Sequence, residues 1–272
     1  MYSAFQVTRN LLGSQHAILG YSMTNTSWQP VGDWYNASVG SAGHYYHQHV
    51  VIPKSFALLD LKSGNSVLDL GCGQGVLERR VPKDVYYQGI DVARNLIDIA
   101  KKQNQNPEHH FLVGDVTRPL QIQRKNFSQV ACILALQNVE HPELLIANAA
   151  EHLQSNGKFL IVLNHPYFRI PRQSSWGIDE TKKTQYRRVD RYLTPLKVPI
   201  TAHPGQKSTA VTWSFHYPLS AYSLWLKESR FVIEVIEEWV SDKTSVGKAA
   251  KMENRSRDEF PLFMAILARK LG

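Results

Sequence analysis

The 272-residue sequence contains only two cysteines, Cys72 and Cys132. Two thiols are too few for a disulfide framework, a four-cysteine zinc site or the three-cysteine cluster that holds an iron–sulfur centre. No window approaches the ~18 uninterrupted apolar residues that a membrane span needs. The N-terminus also lacks a basic stretch followed by a compact apolar run. These absences predict a soluble protein of a reducing compartment, which we take to be the cytoplasm.

Acidic side chains are fewer than basic ones. The chain has 31 lysines and arginines against 23 aspartates and glutamates, a formal net charge of +8. Much of the excess lies in residues 165–210, which hold nine basic and three acidic side chains. A solvated cationic face explains this excess, and an anionic partner is the alternative.

The hydrophobic pattern divides the chain into four parts. Residues 1–44 show no sustained periodicity and predict an N-terminal arm or lid. Residues 45–164 alternate strands and helices, which predicts an α/β core with a parallel sheet, helices on both faces and a ligand crevice beyond the carboxyl ends of the strands. Residues 165–217 lose the pattern and predict an insertion that caps this crevice, because a connection of this length is uncommon unless it is functional. Residues 218–272 return to the same core.

The predicted elements follow from periodicity and from turn residues. They are a helix at 46–61, a strand at 66–70, a glycine loop and helix at 71–80, a strand at 85–90, a helix at 92–103, strands at 110–113 and 129–135, a helix at 142–154, a strand at 158–163, a helix at 218–228, a strand at 231–240, a charged loop at 241–259 and a final apolar run at 262–268.

A glycine loop directly after the first strand is the most informative motif. Glycines stand at alternate positions, Gly71, Gly73 and Gly75, where the chain has to turn sharply and leave its backbone open to a ligand. A dinucleotide fingerprint would place its third small residue at Val76, one position later. Asp69, just before the loop, would repel a pyrophosphate and attract a cationic amino group. The motif therefore favours a cationic ligand.

Two more acids follow the next predicted strands. Asp91 ends the second strand, where a carboxylate can accept both hydroxyls of a ribose, and Asp115 follows the third, where it can accept from an exocyclic amine. Each acid alone is also a reasonable helix cap. Together with the glycine loop, the three acids predict one ligand crevice.

These residues resemble the class I S-adenosylmethionine-dependent methyltransferases, a family with a seven-stranded sheet whose last strand is antiparallel. The resemblance covers residues 45–165 well and residues 218–269 more loosely. It implies S-adenosylmethionine as cofactor, with S-adenosylhomocysteine as product, and a cofactor-binding core at 45–164. The implied cofactor-binding residues are Asp69, Gly71, Gly73, Gly75, Asp91, Val92, Asp115, Val116, Leu134 and Tyr46. The segment 134–142 resembles the one that lines the donor site in members acting on small molecules.

Two departures from the family pattern affect this interpretation. The acid often found just before the fourth strand is replaced by Ser128, a position that does not touch the cofactor. The Asn/Asp-Pro-Pro-Tyr motif of amino-group methylation is missing after the fourth strand. Asn164-His165-Pro166-Tyr167 is superficially similar but follows the fifth strand, so we do not transfer that chemistry.

Methyl transfer from a sulfonium is an in-line displacement, to which a protein contributes mainly alignment and exclusion of water. A hydroxyl or ammonium acceptor must also lose a proton, for which a histidine is the natural base. We predict His165 and His141 as catalytic bases because each follows a strand at the crevice, and we rank His216 third. A structural role is the alternative for each of them.

Two other chemistries are set aside. Histidines of the run 44–49 have a spacing that suggests metal ligation, but no further ligand is identifiable, so we predict no metal site and read the run as a lid with Tyr45 or Tyr46 against the donor. A covalent cysteine mechanism needs an exposed thiolate, and neither Cys72 nor Cys132 is well placed for one.

The methyl acceptor is the least determined part of the prediction. The aromatic insertion predicts an enclosed pocket for a small organic molecule with an oxygen or nitrogen nucleophile. The basic residues Arg187, Arg188 and Arg191 keep open transfer to RNA, including tRNA, with tyrosines stacking on bases. A non-catalytic cofactor-binding protein is the third possibility.

Overall fold

Seven of eleven strands form one central sheet in the computed structural model, which describes residue 28, residues 43–201 and residues 211–272. The strands in chain order are β1 (Ser66–Leu70), β2 (Tyr86–Asp91), β3 (His109–Val113), β4 (Phe127–Ile133), β5 (Leu153–Asn164), β6 (Ser174–Asp179), β7 (Thr184–Val189), β8 (Leu196–Thr201), β9 (Val211–His216), β10 (Phe231–Trp239) and β11 (Phe263–Lys270). The helices are α1 (Ile52–Leu59), α2 (Arg94–Gln103), α3 (Pro142–His152), α4 (Leu219–Glu228) and α5 (Ala250–Glu259).

The central sheet has the strand order β10-β11-β5-β4-β1-β2-β3. Strands β1 to β5 pair in parallel, whereas β11 runs antiparallel to both of its neighbours, β5 and β10. This confirms the predicted seven-stranded, mostly parallel sheet with an antiparallel last strand. The chain reverses its direction of progress across the sheet between β1 and β4, which leaves a crevice at their carboxyl ends.

Side chains of each buried strand alternate between the two faces of the sheet, because successive residues point to opposite sides. On β5, Leu160 and Val162 pack in a cluster with α1, whereas Phe159, Ile161 and Leu163 pack in a cluster with α3 and α4. A third cluster joins β1, β2 and β3 to α2. Burying such a side chain contributes roughly 1.5–3 kcal/mol, so both faces of the sheet contribute to stability.

Two predicted elements are corrected by the structure. The segment 71–80 forms turns that end in a single 3-10 turn, Glu78–Arg80, instead of a full helix. Val81, which precedes a proline, is extended with ψ of 131°, as residues before proline usually are. The charged loop at 241–259 contains α5, a polar helix with one buried side chain, Ser256, whose hydroxyl donates to the carbonyl of Gln185 at 3.3 Å.

The insertion between β5 and α4 folds into two antiparallel hairpins, β6–β7 and β8–β9. Residues 202–210, between β8 and β9, lie outside the described residues, as does the predicted arm 1–44 except for Trp28, Gly43 and His44. Among the helices that the structure describes, none is long and apolar enough to cross a bilayer.

Candidate functional site

A cavity of about 260 Å³ lies at the carboxyl ends of β1, β2, β4 and β5. Its walls combine the glycine loop, the start of α1, the segment after β4 and the β8–β9 hairpin. The lining residues include Trp28, His47, Asp69, Gly71, Gly73, Gln74, Asp91, Leu134, Gln137, Asn138, Asn164, Ile200 and Ser214. The sequence predicted this crevice from the strand pattern, and four of the predicted cofactor residues from the loop and strand ends meet in it: Asp69, Gly71, Gly73 and Asp91.

The three loop glycines all have a positive φ, at +80° for Gly71, +54° for Gly73 and +79° for Gly75, a region that L side chains rarely adopt. Their surroundings differ. A Cβ on Gly71 would lie 2.4 Å from the Cβ of Ala135, and one on Gly75 would press on the Phe111 ring at 3.2 Å. A Cβ on Gly73 would meet no heavy atom within 4 Å. Packing therefore requires Gly71 and Gly75, while Gly73 borders open space.

Asp91 ties the glycine loop to the second strand. One carboxylate oxygen accepts from the backbone N–H of Gly73 at 2.9 Å, and the other accepts from the backbone N–H of Ala93 at 2.8 Å. Burial raises the pKa of Asp91, and the backbone N–H groups of Ala93, Gly73 and Val92 oppose that rise. A carboxylate has about four acceptor sites, so these bonds leave capacity for a hydroxyl of a ligand. Asp91 is not the N-cap of the helix that follows, since that position is Ala93 and no side chain caps the helix.

Asp69 is a buried acid on the central strand, with 2% of its surface exposed. Tyr87 donates its hydroxyl to Asp69 at 2.7 Å. Burial raises the pKa of Asp69 to about 7; the Tyr87 hydrogen bond opposes the rise, and the nearby charge of Asp91 adds to it. The cavity therefore contains a carboxyl group that ionises near neutral pH and gains most from a positively charged ligand.

The residues that follow the third strand, Asp115 and Val116, do not line the cavity as predicted. Asp115 accepts from both the backbone N–H and the hydroxyl of Thr117, at 2.9 and 2.7 Å, and Val116 accepts at its carbonyl from Asn148. Val92 is 45% exposed. None of Asp115, Val116 and Val92 is among the residues that line the cavity. The contacts of Asp115 stabilise a turn, and no helix follows Asp115 before β4, so the helix-cap alternative does not describe this residue. An adenine contact stays a prediction.

The segment after β4 contributes a wall of the cavity through an unusual backbone conformation. Leu134 has φ of +54°, and its backbone N–H donates to the carbonyl of Val162 at 2.7 Å. The Leu134 carbonyl in turn accepts from the side-chain amide of Gln137 at 2.8 Å. The carbonyl oxygen of the Gln137 side chain is buried without a hydrogen-bond partner among the described residues. It leaves an acceptor in the wall that a ligand can use.

The structure does not bring the two predicted bases to this cavity. His165 is buried, with Nε2 2.7 Å from a carboxylate oxygen of Glu238 and Nδ1 accepting from the backbone N–H groups of Tyr167 and Phe168. His141 is largely exposed and lies 3.2 Å from Glu143. His216, ranked third from sequence, lines a smaller adjoining recess. Nothing in the sequence indicated this position for His216, because the β8–β9 hairpin, which positions it, has no signature in the sequence pattern. The catalytic role of each histidine stays a prediction.

His47 takes the place at the cavity that the sequence assigned to Tyr45 or Tyr46. The Tyr46 hydroxyl lies 3.0 Å from that of Ser241, and the Tyr45 hydroxyl donates to Asp242 at 3.1 Å. Neither tyrosine lines the cavity, whereas His47 does. Burial, with a smaller effect of His44, lowers the pKa of His47 to about 4, so the ring is neutral at physiological pH. Its Nδ1 is buried and has no partner among the described residues.

The cavity lining also includes three residues that were not predicted from sequence, Asn164, Ser214 and Trp28. Asn164 was visible as part of a motif that we set aside, and Trp28 belongs to the predicted arm. Ser214 gave no sequence signal, because it reaches the cavity only through the β8–β9 hairpin. That hairpin is fixed to the segment after β4 by Lys197, 2.7 Å from Glu140.

The two cysteines are buried, and burial raises the pKa of each thiol above its ordinary value. Cys72 lines the cavity, but the nearby carboxylates of Asp69 and Asp91 disfavour its thiolate further. A covalent thiolate mechanism therefore has no support in these surroundings.

Two of the three arginines considered for RNA binding are engaged within the insertion. Arg187 donates to the carbonyl of Phe168 at 2.6 Å and to the hydroxyl of Ser174 at 2.9 Å. Arg188 forms a 2.6 Å ion pair with Asp190. Phosphate binding by this trio would have to displace these contacts.

The sheet order, the glycine loop and the cavity are those of a class I S-adenosylmethionine-dependent methyltransferase fold. Residues 67–157 match the model of the methyltransferase domain. The chain is 27% identical over 143 residues to a ubiquinone biosynthesis O-methyltransferase of Coxiella burnetii, covering 50% of this chain and 58% of that protein. It is 33% identical over 101 residues to a demethylmenaquinone methyltransferase of Leptospira interrogans, covering 35% and 41%.

The matched region thus spans about half the length of these curated relatives. Among solved structures, an S-adenosylmethionine-dependent methyltransferase from Mesorhizobium loti superposes with a TM-score of 0.62 at 23% identity, covering 80% of this chain and 96% of that one. This likeness establishes the shared fold.

Proposed function

We propose that this chain transfers the methyl group of S-adenosylmethionine to an oxygen or nitrogen nucleophile of a small organic molecule. The observation that carries the proposal is the joint placement of Asp69, Asp91 and the open Gly73 on one cavity at the carboxyl edge of the sheet. The names of the two curated relatives, which both denote methylation of a small molecule, support it.

The residues present fit the cofactor. Asp91 retains acceptor capacity for ribose hydroxyls, Gly73 leaves space for close approach, and Asp69 offers a carboxylate to a positive charge. The unpartnered polar atoms of His47 and Gln137 add hydrogen-bonding capacity in the same walls. When bound, S-adenosylmethionine supplies an electrophilic methyl group on a positively charged sulfur.

The chain's own contribution is to align the reactants and exclude water. Holding two reactants in line can remove on the order of 7–11 kcal/mol of the barrier. The β8–β9 hairpin supports this role because Ile200 and Ser214 contribute to the wall of the cavity. A wall of this kind favours a small acceptor over a polymer.

A calorimetric titration tests cofactor binding, and a methyl-transfer screen tests the reaction. The wild-type chain is titrated with S-adenosylmethionine and S-adenosylhomocysteine, and then incubated with methyl-labelled cofactor and pools of small phenols, amines and hydroxy acids. We expect binding of both cofactor forms and label in at least one pool. Absence of cofactor binding would overturn the proposal.

Two further outcomes separate the alternatives. Label in tRNA but in none of the small-molecule pools would show an RNA methyltransferase. Cofactor binding without label in any pool or in RNA would favour a non-catalytic binding protein.

A further inference from the structure

A small recess opens beside the cavity, between the end of β5 and the β8–β9 hairpin. Its volume is about 20 Å³, and it shares Gln137, Asn164 and Ser214 with the cavity. The remaining lining residues are Leu163, Pro166, Arg169, Pro171, Phe215, His216 and Tyr222. A space of this size holds about one water-sized group, so it suits one polar substituent of a ligand that lies mainly in the cavity.

Arg169 provides the charge of this recess. Its guanidinium donates to the side-chain oxygen of Asn164 at 2.7 Å and lies 5.5 Å from the centre of the Phe263 ring. Within the described ranges, no carboxylate lies within ion-pair distance of Arg169. The rest of the sequence contributes a single acid, Asp33. Arg169 is half-buried, and because charges withdrawn from water are normally paired, this cation favours an anion from outside the described chain.

The surroundings make the recess more favourable for an anion. The positive charge of Arg187 acts on Arg169, and burial together with this charge lowers the pKa of the Arg169 guanidinium. Nε2 of His216 lies 2.6 Å from the carbonyl of Tyr192, and burial lowers the pKa of this histidine. A neutral His216 adds no positive charge, so the positive charge in the lining of this recess comes from Arg169.

We propose that Arg169 binds a carboxylate of the methyl acceptor, so that the substrate class of this chain is small organic acids with an apolar body. The recess has room only for the polar group, so the apolar part of the class follows from the adjoining cavity, whose lining includes Ile133, Leu134 and Ala135. The inference rests on the proposed function and adds the chemical class of its acceptor.

The two ends of the combined site then carry opposite charges. Asp69 and Asp91 lie on the β1–β2 side, and Arg169 lies beyond β5. A cationic donor and an anionic acceptor would be oriented by the same field, which lowers the number of unproductive arrangements.

The test measures how the full chain, saturated with S-adenosylhomocysteine, distinguishes an acid from its amide. Benzoate, phenylacetate and cinnamate are each titrated by calorimetry against benzamide, phenylacetamide and cinnamamide. A charge-assisted hydrogen bond predicts that at least one acid binds about tenfold or more tightly than its amide. In Arg169→Gln the preference is expected to fall to less than about threefold, since only neutral donors remain.

Matched variants keep the test specific. Arg188→Gln removes the same charge from an exposed position and should leave the acid preference unchanged, and Arg169→Lys should retain part of it. If Arg169→Gln does not fold, as judged by its melting transition, Asn164→Asp provides a second route. It places a carboxylate next to the guanidinium and should abolish the preference.

Three results would overturn the inference. The first is equal binding of acid and amide to the wild-type complex, and the second is an acid preference that survives both Arg169→Gln and Asn164→Asp. The third is a loss of S-adenosylhomocysteine affinity in Arg169→Gln, which would mean that the guanidinium serves the donor's carboxylate instead. Failure of the wild-type chain to bind S-adenosylhomocysteine would overturn the proposed function itself, and this inference with it.

Discussion

The glycine-loop end of the cavity and the insertion end are built in opposite ways. At the glycine-loop end, Asp69, Gly73 and Asp91 lie within 23 consecutive residues, and hydrogen bonds between neighbouring strands hold them together. At the insertion end, Ser214 and the carbonyl of Gln137 are 3.4 Å apart in space but 77 positions apart in sequence. The first end depends on local backbone geometry, and the second depends on how the insertion docks.

The difference indicates which residues would determine cofactor binding and which would determine the choice of acceptor. Cofactor binding can be encoded by a short motif because three adjacent parallel strands end at one edge. The acceptor site that we propose is formed by side chains on separate elements, so changes there should alter the substrate without altering the cofactor site. Each prediction below perturbs one end or tests the separation between them.

The largest effect is expected at the glycine-loop end. Asp91→Ala removes a carboxylate that holds the loop and that we assign to the ribose, so S-adenosylhomocysteine affinity should fall by about 3 kcal/mol, roughly two orders of magnitude. Calorimetric titration measures the loss. Asp98→Ala, an exposed aspartate on α2, is the matched control and should bind normally. An affinity for Asp91→Ala within twofold of the wild type would refute the ribose assignment.

Two glycine variants separate packing from binding within the same loop. Gly71→Ala places a Cβ 2.4 Å from that of Ala135, so the free energy of unfolding should fall by about 2–3 kcal/mol. Gly73→Ala meets open space and should cost only about 1 kcal/mol, from its positive φ, yet it should weaken cofactor binding. Denaturant unfolding and cofactor titration of both variants check this. A stability loss for Gly73→Ala as large as that for Gly71→Ala would contradict it.

A pair of histidine variants tests the scaffold behind the insertion end. His165→Asn removes the contact with Glu238 and the acceptor for two backbone N–H groups, which should lower the free energy of unfolding by about 1–2 kcal/mol. His141→Asn, at an exposed position, should change it by less than about 0.5 kcal/mol. Chemical denaturation gives both values. A loss of turnover with unchanged stability and unchanged KM for either variant would instead restore the original prediction of a catalytic base.

The smallest effect concerns the charge of Asp69, whose pKa is raised to about 7 by burial. As the pH rises from 6 to 8, this carboxyl ionises. The ratio of the affinity for the cationic S-adenosylmethionine to that for S-adenosylhomocysteine, whose sulfur is neutral, should then increase about fivefold. The ratio of the two affinities is the readout, because other titrating groups shared by the ligands cancel.

Asp69→Asn should make that ratio independent of pH. The same group also affects stability. Its pKa is higher in the folded chain than in the unfolded one, so its contribution is fully present below about pH 4 and is lost as the pH rises through about 7. A ratio that stays flat in the wild type would show that Asp69 does not sense the sulfonium.

Most of the sheet could be predicted from sequence because its strands are short apolar runs separated by periodic helices. The insertion could not, since no residue of β6 and β7 is fully buried and the buried residues of β9 include polar ones such as Thr212 and Ser214, so none of these strands carries a long apolar run. The polar helix α5 was missed for a related reason: its surface is largely solvated, and only Ser256 is buried. A helix that is polar on nearly all of its sides has no apolar stripe to detect in the sequence.

The sheet and the acidic, glycine-lined end of the cavity could be predicted from sequence, because those features depend on residues that are neighbours along the chain or at adjacent strand ends. The packing of distant segments places His165 against Glu238 instead of the cavity, puts His47 in the cavity wall in place of Tyr46, and leaves Arg169 half-buried in a recess without a carboxylate among the described residues. Burial and charge pairing depend on the packing of segments that are far apart in the chain, and no local sequence pattern predicts which of these segments will be in contact.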